Sequence, residues 1–254
     1  MWSKSGDWYL AAAIAALSSP VSADSLGFRF AEVSVAAQAS EFPMSGQIHA
    51  TADFAITKAH GVQFDFAAVG YQGEFLGQLD GHIYMMPTDA AKYGLYFSLA
   101  DMNGREATIA SVGVEAMFAV SPGTEVQGRA GIGMALPGNI DFITVSVGAS
   151  HAFSDQLAVF GDLSMAELDE AALRAMATTA RVGISYQPQG QSWEISGALS
   201  RDGLTGRDAS RFENRAELAL TLHLGAGGGA KRGLSKRRFS APQPFDPLLR
   251  RGLF

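Results

Sequence analysis

Ten carboxylates in this chain fall on the polar side of segments that alternate polar and apolar residues: Glu32, Asp53, Asp65, Glu74, Asp80, Glu115, Glu125, Asp162, Glu194 and Glu217. Only three bases, Arg129, Arg181 and Arg215, share that side. A wall of low dielectric focuses the field of such a surplus, so these side chains favour cations if they surround water. If the interior is filled instead, they pair with the three arginines and hydrated neighbours, because small barrels pack their interiors with side chains.

Other constellations carry less chemistry. His49 and His82 share the polar side with Asp53 and Asp80, which permits a polar cluster. No Gly-x-Ser-x-Gly elbow or His-Glu-x-x-His helix supports catalysis. Glu167, Asp169 and Glu170 lie in an expected loop without calcium-loop spacing. The run Gly225-Ala226-Gly227-Gly228-Gly229-Ala230 imitates a phosphate loop. It has Ala where a Gly should precede Lys231, however, and no Ser or Thr follows at the required place. The sequence therefore points to no cofactor and no metal. The absence of cysteine excludes disulfides and Cys-ligated zinc, and the net charge of -6 argues against nucleic acid as the main partner.

The elements that must position the acids are strands. With 47% hydrophobic residues, 17% charged residues and 29 Gly in 254 residues, the chain is too apolar to be disordered. Period-two alternation recurs between turn signals over residues 26–224. Ile48, Ala50, Ala52, Phe54 and Ile56 face away from Gln47, His49, Thr51 and Asp53, and later segments repeat the rule. It predicts strands near 26–40, 46–57, 61–71, 74–86, 92–101, 106–120, 124–137, 140–153, 157–166, 177–187, 192–201 and 214–224.

Three features favour a membrane barrel over a soluble sandwich. The strands are long enough for a tilted bilayer crossing. Tight turns at 121–124, 154–156 and 188–191 alternate with links at 167–176 and 202–213 that read as long loops. Phe118, Phe153, Tyr186 and Trp193 lie on the apolar face beside the tight turns, as an interfacial aromatic girdle does. Ahead of the strands, Lys4, the apolar run Leu10–Leu17 and Val21-Ser22-Ala23 read as a secretory signal peptide. On this architecture the chain resembles bacterial outer-membrane β-barrels of the porin-like kind, without the signature of one family. The expected organisation is a cleaved signal peptide (1–23), a closed antiparallel transmembrane β-barrel of about twelve strands (24–224), and a Gly-rich linker with a basic periplasmic tail (225–254).

The resemblance implies outer-membrane lipid as surroundings and the barrel-assembly machinery as a partner during insertion. In one respect the chain departs from it. Such barrels usually end on a strand with a terminal aromatic residue, whereas here the last strand stops at His223-Leu224 and the basic tail follows. The tail's charge run reads as a solvated segment, or as an arm held near an acidic partner whose identity the sequence does not name. The small inward residues Gly131, Gly133, Ala135, Gly148, Gly183, Ser185, Ser196 and Ala198 leave room for a narrow pore.

The leading functional expectation is a cation-preferring channel for passive diffusion of small cations or polar solutes, and not an enzyme. The alternative is a non-conducting structural or interaction barrel that displays its loops and tail, with an outer-membrane lipid-modifying enzyme a distant third. If the signal-peptide reading is correct, N-terminal sequencing of the exported chain should begin at Asp24; a mature protein beginning at Met1 would refute it.

Overall fold

The computed structural model describes residues 27–41, 45–71, 74–104, 107–169, 174–207, 209–225, 229–241, 243 and 245–251. The signal-peptide reading falls outside these residues. Twelve strands are present: β1 (Gly27–Ala39), β2 (Ser45–Ala55), β3 (His60–Tyr71), β4 (Glu74–Thr88), β5 (Ala91–Asn103), β6 (Ala107–Ser121), β7 (Thr124–Leu136), β8 (Ile140–Ala152), β9 (Leu157–Asp169), β10 (Arg174–Tyr186), β11 (Trp193–Gly206) and β12 (Ser210–Leu224). Each pairs antiparallel with its sequence neighbours, and β1 pairs with β12 to close the barrel. At the closure Val33 stands opposite Leu222 on one side and Ala50 on the other.

The alternation that predicts the strands also explains the closure. Every backbone donor and acceptor in a bilayer needs a partner, and a closed sheet leaves no edge unpaired. The outward set is largely apolar: Ile83, Leu95, Val112, Ile132, Ile143, Val182, Leu199 and Leu218 are all more than half exposed, and Asp101, Asp141, Arg201 and Asn214 share that face. So extensive an apolar surface suits lipid, not water.

The two ends of the barrel are less different than the sequence suggests. β9 continues to Asp169 and β12 begins at Ser210, so the links read as long loops at 167–176 and 202–213 are mostly strand. Glu167 and Asp169 accordingly belong to β9. The strands extend because their last inward residues have a core to join. Leu168, Ala175, Ala177 and Leu204 are buried at the end of the barrel remote from its termini. Turns are short at the terminal end too; in the β6–β7 turn Gly123 takes φ +85°, which a side chain would strain.

That remote core is completed by the tail. A 3-10 turn (Leu234–Lys236) and a single helical turn, α1 (Asp246–Leu249), lie within the barrel. Ala230 donates its N–H to Asp155 O at the terminal end. Phe245, Leu248 and Leu249 pack with Val69, Leu76, Met102, Ile109 and Leu168 at the other. The segment read from the sequence as a solvated periplasmic tail thus threads the lumen along most of its length.

The face assignment predicts that Val145→Arg, in the middle of β8 on the outer face, destabilises the folded barrel by about 2–4 kcal/mol. Ser146→Thr on the inner face should be tolerated. Equal urea midpoints in lipid for both variants would contradict the assignment.

Candidate functional site

The lumen is built around the clasp that holds Phe239. Gln63, on the inner face of β3, donates from Nε2 to Phe239 O at 2.9 Å and accepts the Phe239 N–H at 2.8 Å. The Phe239 ring stacks on His82 with centroids 5.8 Å apart and meets the Tyr84 ring edge-on at 5.9 Å. Lys92 Nζ lies 4.6 Å from the same ring and 4.0 Å from that of Tyr84. All four wall residues are buried. The desolvated ammonium is held by these rings, by Arg237 O at 2.8 Å and by Asp53 at 3.6 Å.

Around this clasp the acids form a network. His82 bridges Asp65, 2.9 Å from Nε2, and Glu115, 2.7 Å from Nδ1. Asp65 also accepts from Gln63 and Thr51 and lies 3.5 Å from His49. The polar cluster expected of the two histidines therefore exists, but its centre is Asp65 and not Asp53 or Asp80. Asp53 accepts from the Tyr84 hydroxyl at 2.6 Å, and Asp80 accepts from Gln78 at 2.9 Å. Glu115 is paired a second time, with Arg129 at 2.7 Å.

The tail supplies most of the counter-charge. Arg232 reaches Glu32 at 3.0 Å and Glu194 at 3.2 Å; Arg237 reaches Glu125 at 2.6 Å; Arg238 reaches Glu32 at 3.1 Å. Near α1, Arg215 holds Asp202 at 2.6 Å and Asp246 at 3.0 Å, and Arg250 shares Asp246 at 3.0 Å while donating to Gln38. Arg181 pairs on the wall itself, with Glu217 and with Asp162 at 3.9 Å. The surplus of seven negative charges read for the wall is therefore not the charge of the occupied lumen, and the cation preference based on it loses its premise.

All thirteen sequence-predicted charged residues lie on the inner face, with Glu74 half-buried at the remote end of β4. The sequence reading missed Asp202 and Glu213, both buried, because it placed them in a loop. It also missed Lys92 and Arg29, although Lys92 shares the parity of inward Tyr96 and Ser98. Arg29 reaches the interior beside a register shift in β1, where its guanidinium meets the Tyr84 hydroxyl and lies 3.8 Å from Asp53. On the outer face near the terminal end, Phe118, Phe153 and Tyr186 are exposed and Trp193 is partly so.

The inward glycines do not all leave room. A Cβ on Gly131 would collide with the Tyr96 hydroxyl, one on Gly133 with the Phe142 ring and one on Gly183 with the Phe160 ring. These glycines accommodate neighbouring aromatics. Open space remains elsewhere, in a cavity of about 450 Å³ bounded by inward residues of β7–β12, β1 and β2, by Ala67 and Met117, and by tail residues including Arg232, Arg237, Arg238, Ser240 and Asp246. Its wall is rich in hydroxyls, including Ser146, Ser164, Thr179, Ser196 and Thr221.

No protein-family model matches the chain, and no curated protein matches it. Among solved structures, it resembles the NanC porin with a TM-score of 0.57 at 8% identity over 75% of this chain and 98% of that one. It resembles an outer-membrane channel from Pseudomonas putida F1 with a TM-score of 0.57 at 10% identity over 81% and 99%. The KdgM porin gives 0.52 at 8% over 75% and 98%. At these identities the likeness is one of fold, and the fold is that of porin-like outer-membrane β-barrels.

The clasp predicts that Phe239→Ala costs about 3–5 kcal/mol at the tail's binding site, as for other buried Phe truncations. Trypsin should then cut at Arg237 and Arg238 in the folded variant while sparing the same bonds in the unmodified protein. Rapid cleavage there in both proteins would contradict the arrangement.

Proposed function

We propose that the protein is a porin-like channel of the bacterial outer membrane for passive diffusion of small polar solutes, with its own C-terminal segment built into the lumen. The observation that carries this reading is the polar cavity of about 450 Å³ beside the tail, inside a barrel whose outer face is largely apolar. Hydroxyls line much of it, so a passing solute can exchange hydrogen bonds with water for hydrogen bonds with the wall. The fold shared with porins and channels supports the same reading. Phe118, Phe153, Tyr186 and Trp193 are suitably placed for an interfacial girdle at the terminal end. Lipid would then surround the outer face, and the barrel-assembly machinery would insert the chain.

The interaction barrel is less favoured, since its displayed loops are mostly strand and its displayed tail is inside. Among the described residues no catalytic constellation supports an enzymatic role. With the tail's guanidiniums on Glu32, Glu125 and Glu194, the channel should discriminate weakly between small cations and anions. Purified full-length protein in planar bilayers should give small ohmic currents with reversal potentials near zero in a potassium chloride gradient. Strong cation selectivity would contradict the pairing, and folded protein without current would contradict the channel.

A further inference from the structure

Every pair of neighbouring strands in this barrel is consecutive in the chain except β1 and β12, whose joint closes the sheet. Loop-closure entropy therefore weighs most heavily on that joint. Its ladder runs from Ala31 opposite Leu224 at the terminal end to Ala39 opposite Ala216 at the remote end, nine pairs in all. One pair in from the terminal end Glu32 stands opposite His223, and one pair in from the remote end Gln38 stands opposite Glu217. Both of these inward rungs meet the tail.

At the first rung the Arg232 guanidinium lies 3.0 Å from Glu32 on β1, 3.0 Å from the His223 ring on β12 and 3.2 Å from Glu194 on β11. Arg238 adds a contact from Glu32, at 3.1 Å, to His49 on β2, at 3.3 Å. At the second rung Arg250 donates to Gln38 on β1 and, at 3.2 Å, to Ser45 on β2, while Asp246 holds Arg215 of β12 at 3.0 Å. Arg250 and Asp246 are themselves paired at 3.0 Å, so the bridge across the joint is continuous. The two grips are six residues apart along β1, about 20 Å of strand. Between them the tail is fixed to the rest of the barrel, by the clasp of Phe239 on β3–β5 and by Arg237 on Glu125 of β7. The joint is thus tied from inside to strands a long way round the sheet.

We propose that the C-terminal segment is an internal strap that holds the barrel shut at the joint between β1 and β12, gripping one end of it through Arg232 and the other through Asp246 and Arg250. The strap stands apart from the channel reading above, since it needs the tail in the lumen but no passage through it.

Hydrogen exchange in two full-length variants tests the strap. Arg232→Gln combined with Arg250→Gln loosens both grips, whereas Arg237→Gln removes a tail pair on β7 and leaves the joint untouched. In the first variant the amides of 31–39 and 216–224 should exchange about tenfold faster than in the unmodified protein, because the joint opens locally, while those of 107–121 and 124–136 keep their rates. In the second the joint should keep its protection. Unchanged exchange at the joint in the first variant, equal acceleration in every strand, or a joint that opens as readily in Arg237→Gln would each overturn the strap. If the first variant does not fold, a covalent tie replaces the grips: Val35 and Leu220 stand opposite each other on the outer face, and the chain has no cysteine of its own. Adding Val35→Cys and Leu220→Cys under oxidising conditions should restore the folded protein's gel mobility before heating, and failure to restore it would overturn the proposal. Selective opening of the joint in a protein that carries no current would refute the channel reading and leave the strap in place.

Discussion

A charged side chain taken out of water must find a partner, and in a barrel interior the partner has to come from another strand or from whatever fills the lumen. The inner wall of this protein carries many more carboxylates than bases. Its own arginines reach Glu115, Asp202, Glu217 and Asp162; among the described residues Glu32 and Glu194 meet His223 on the wall, and no wall arginine reaches them or Glu125. Arg232, Arg237 and Arg238 meet that need in one continuous segment. The apolar contacts of Phe239, Leu248 and Leu249 then secure the segment along its length. Pairing decides which acids the tail takes up, and packing decides where it lies.

A twelve-stranded barrel stands between small barrels filled by side chains and large ones that hold an aqueous channel. This protein fills most of its interior and leaves a cavity of about 450 Å³ beside the tail. Lys92 illustrates how the filled part is made. Its ammonium is fully buried, yet it finds Asp53, a tail carbonyl and two aromatic faces, so a costly charge becomes a fixed point of the docking surface. Across the lumen, Ser164 and Ser196 present short hydroxyls and leave space for water. The cavity follows from a difference in side-chain size between two sets of strands on one regular backbone.

Much of the fold was legible in the sequence because strand parity is a local property. Alternation placed all twelve strands within a few residues and turned Glu32, Asp65 and Glu217 inward. It failed where local pattern is ambiguous. The strand ends holding Asp202 and Glu213 resemble a loop until Leu204 and Leu168 are seen to share a core with Leu248. Arg29 depends on a register shift that no periodicity announces. The glycines looked like empty space, but the rings of Tyr96, Phe142 and Phe160 come from neighbouring strands. The tail was the least legible element, because a basic segment has the same composition whether it is solvated or paired. Many of its partners, such as Glu32, Gln38 and Gln63, are distant in sequence and surround it only once β1 meets β12.

The position of the tail is therefore the central claim, and hydrogen exchange in the folded, full-length protein tests it most directly. The Phe239 N–H donates to buried Gln63, and the Ala230, Arg237, Leu249 and Arg250 amides each have a backbone acceptor. Mass spectrometry of peptides covering 229–251 should show slow exchange at these amides, approaching the protection of the barrel strands. Exchange across the whole segment at the rate of an unstructured peptide would place the tail outside the barrel and contradict the account.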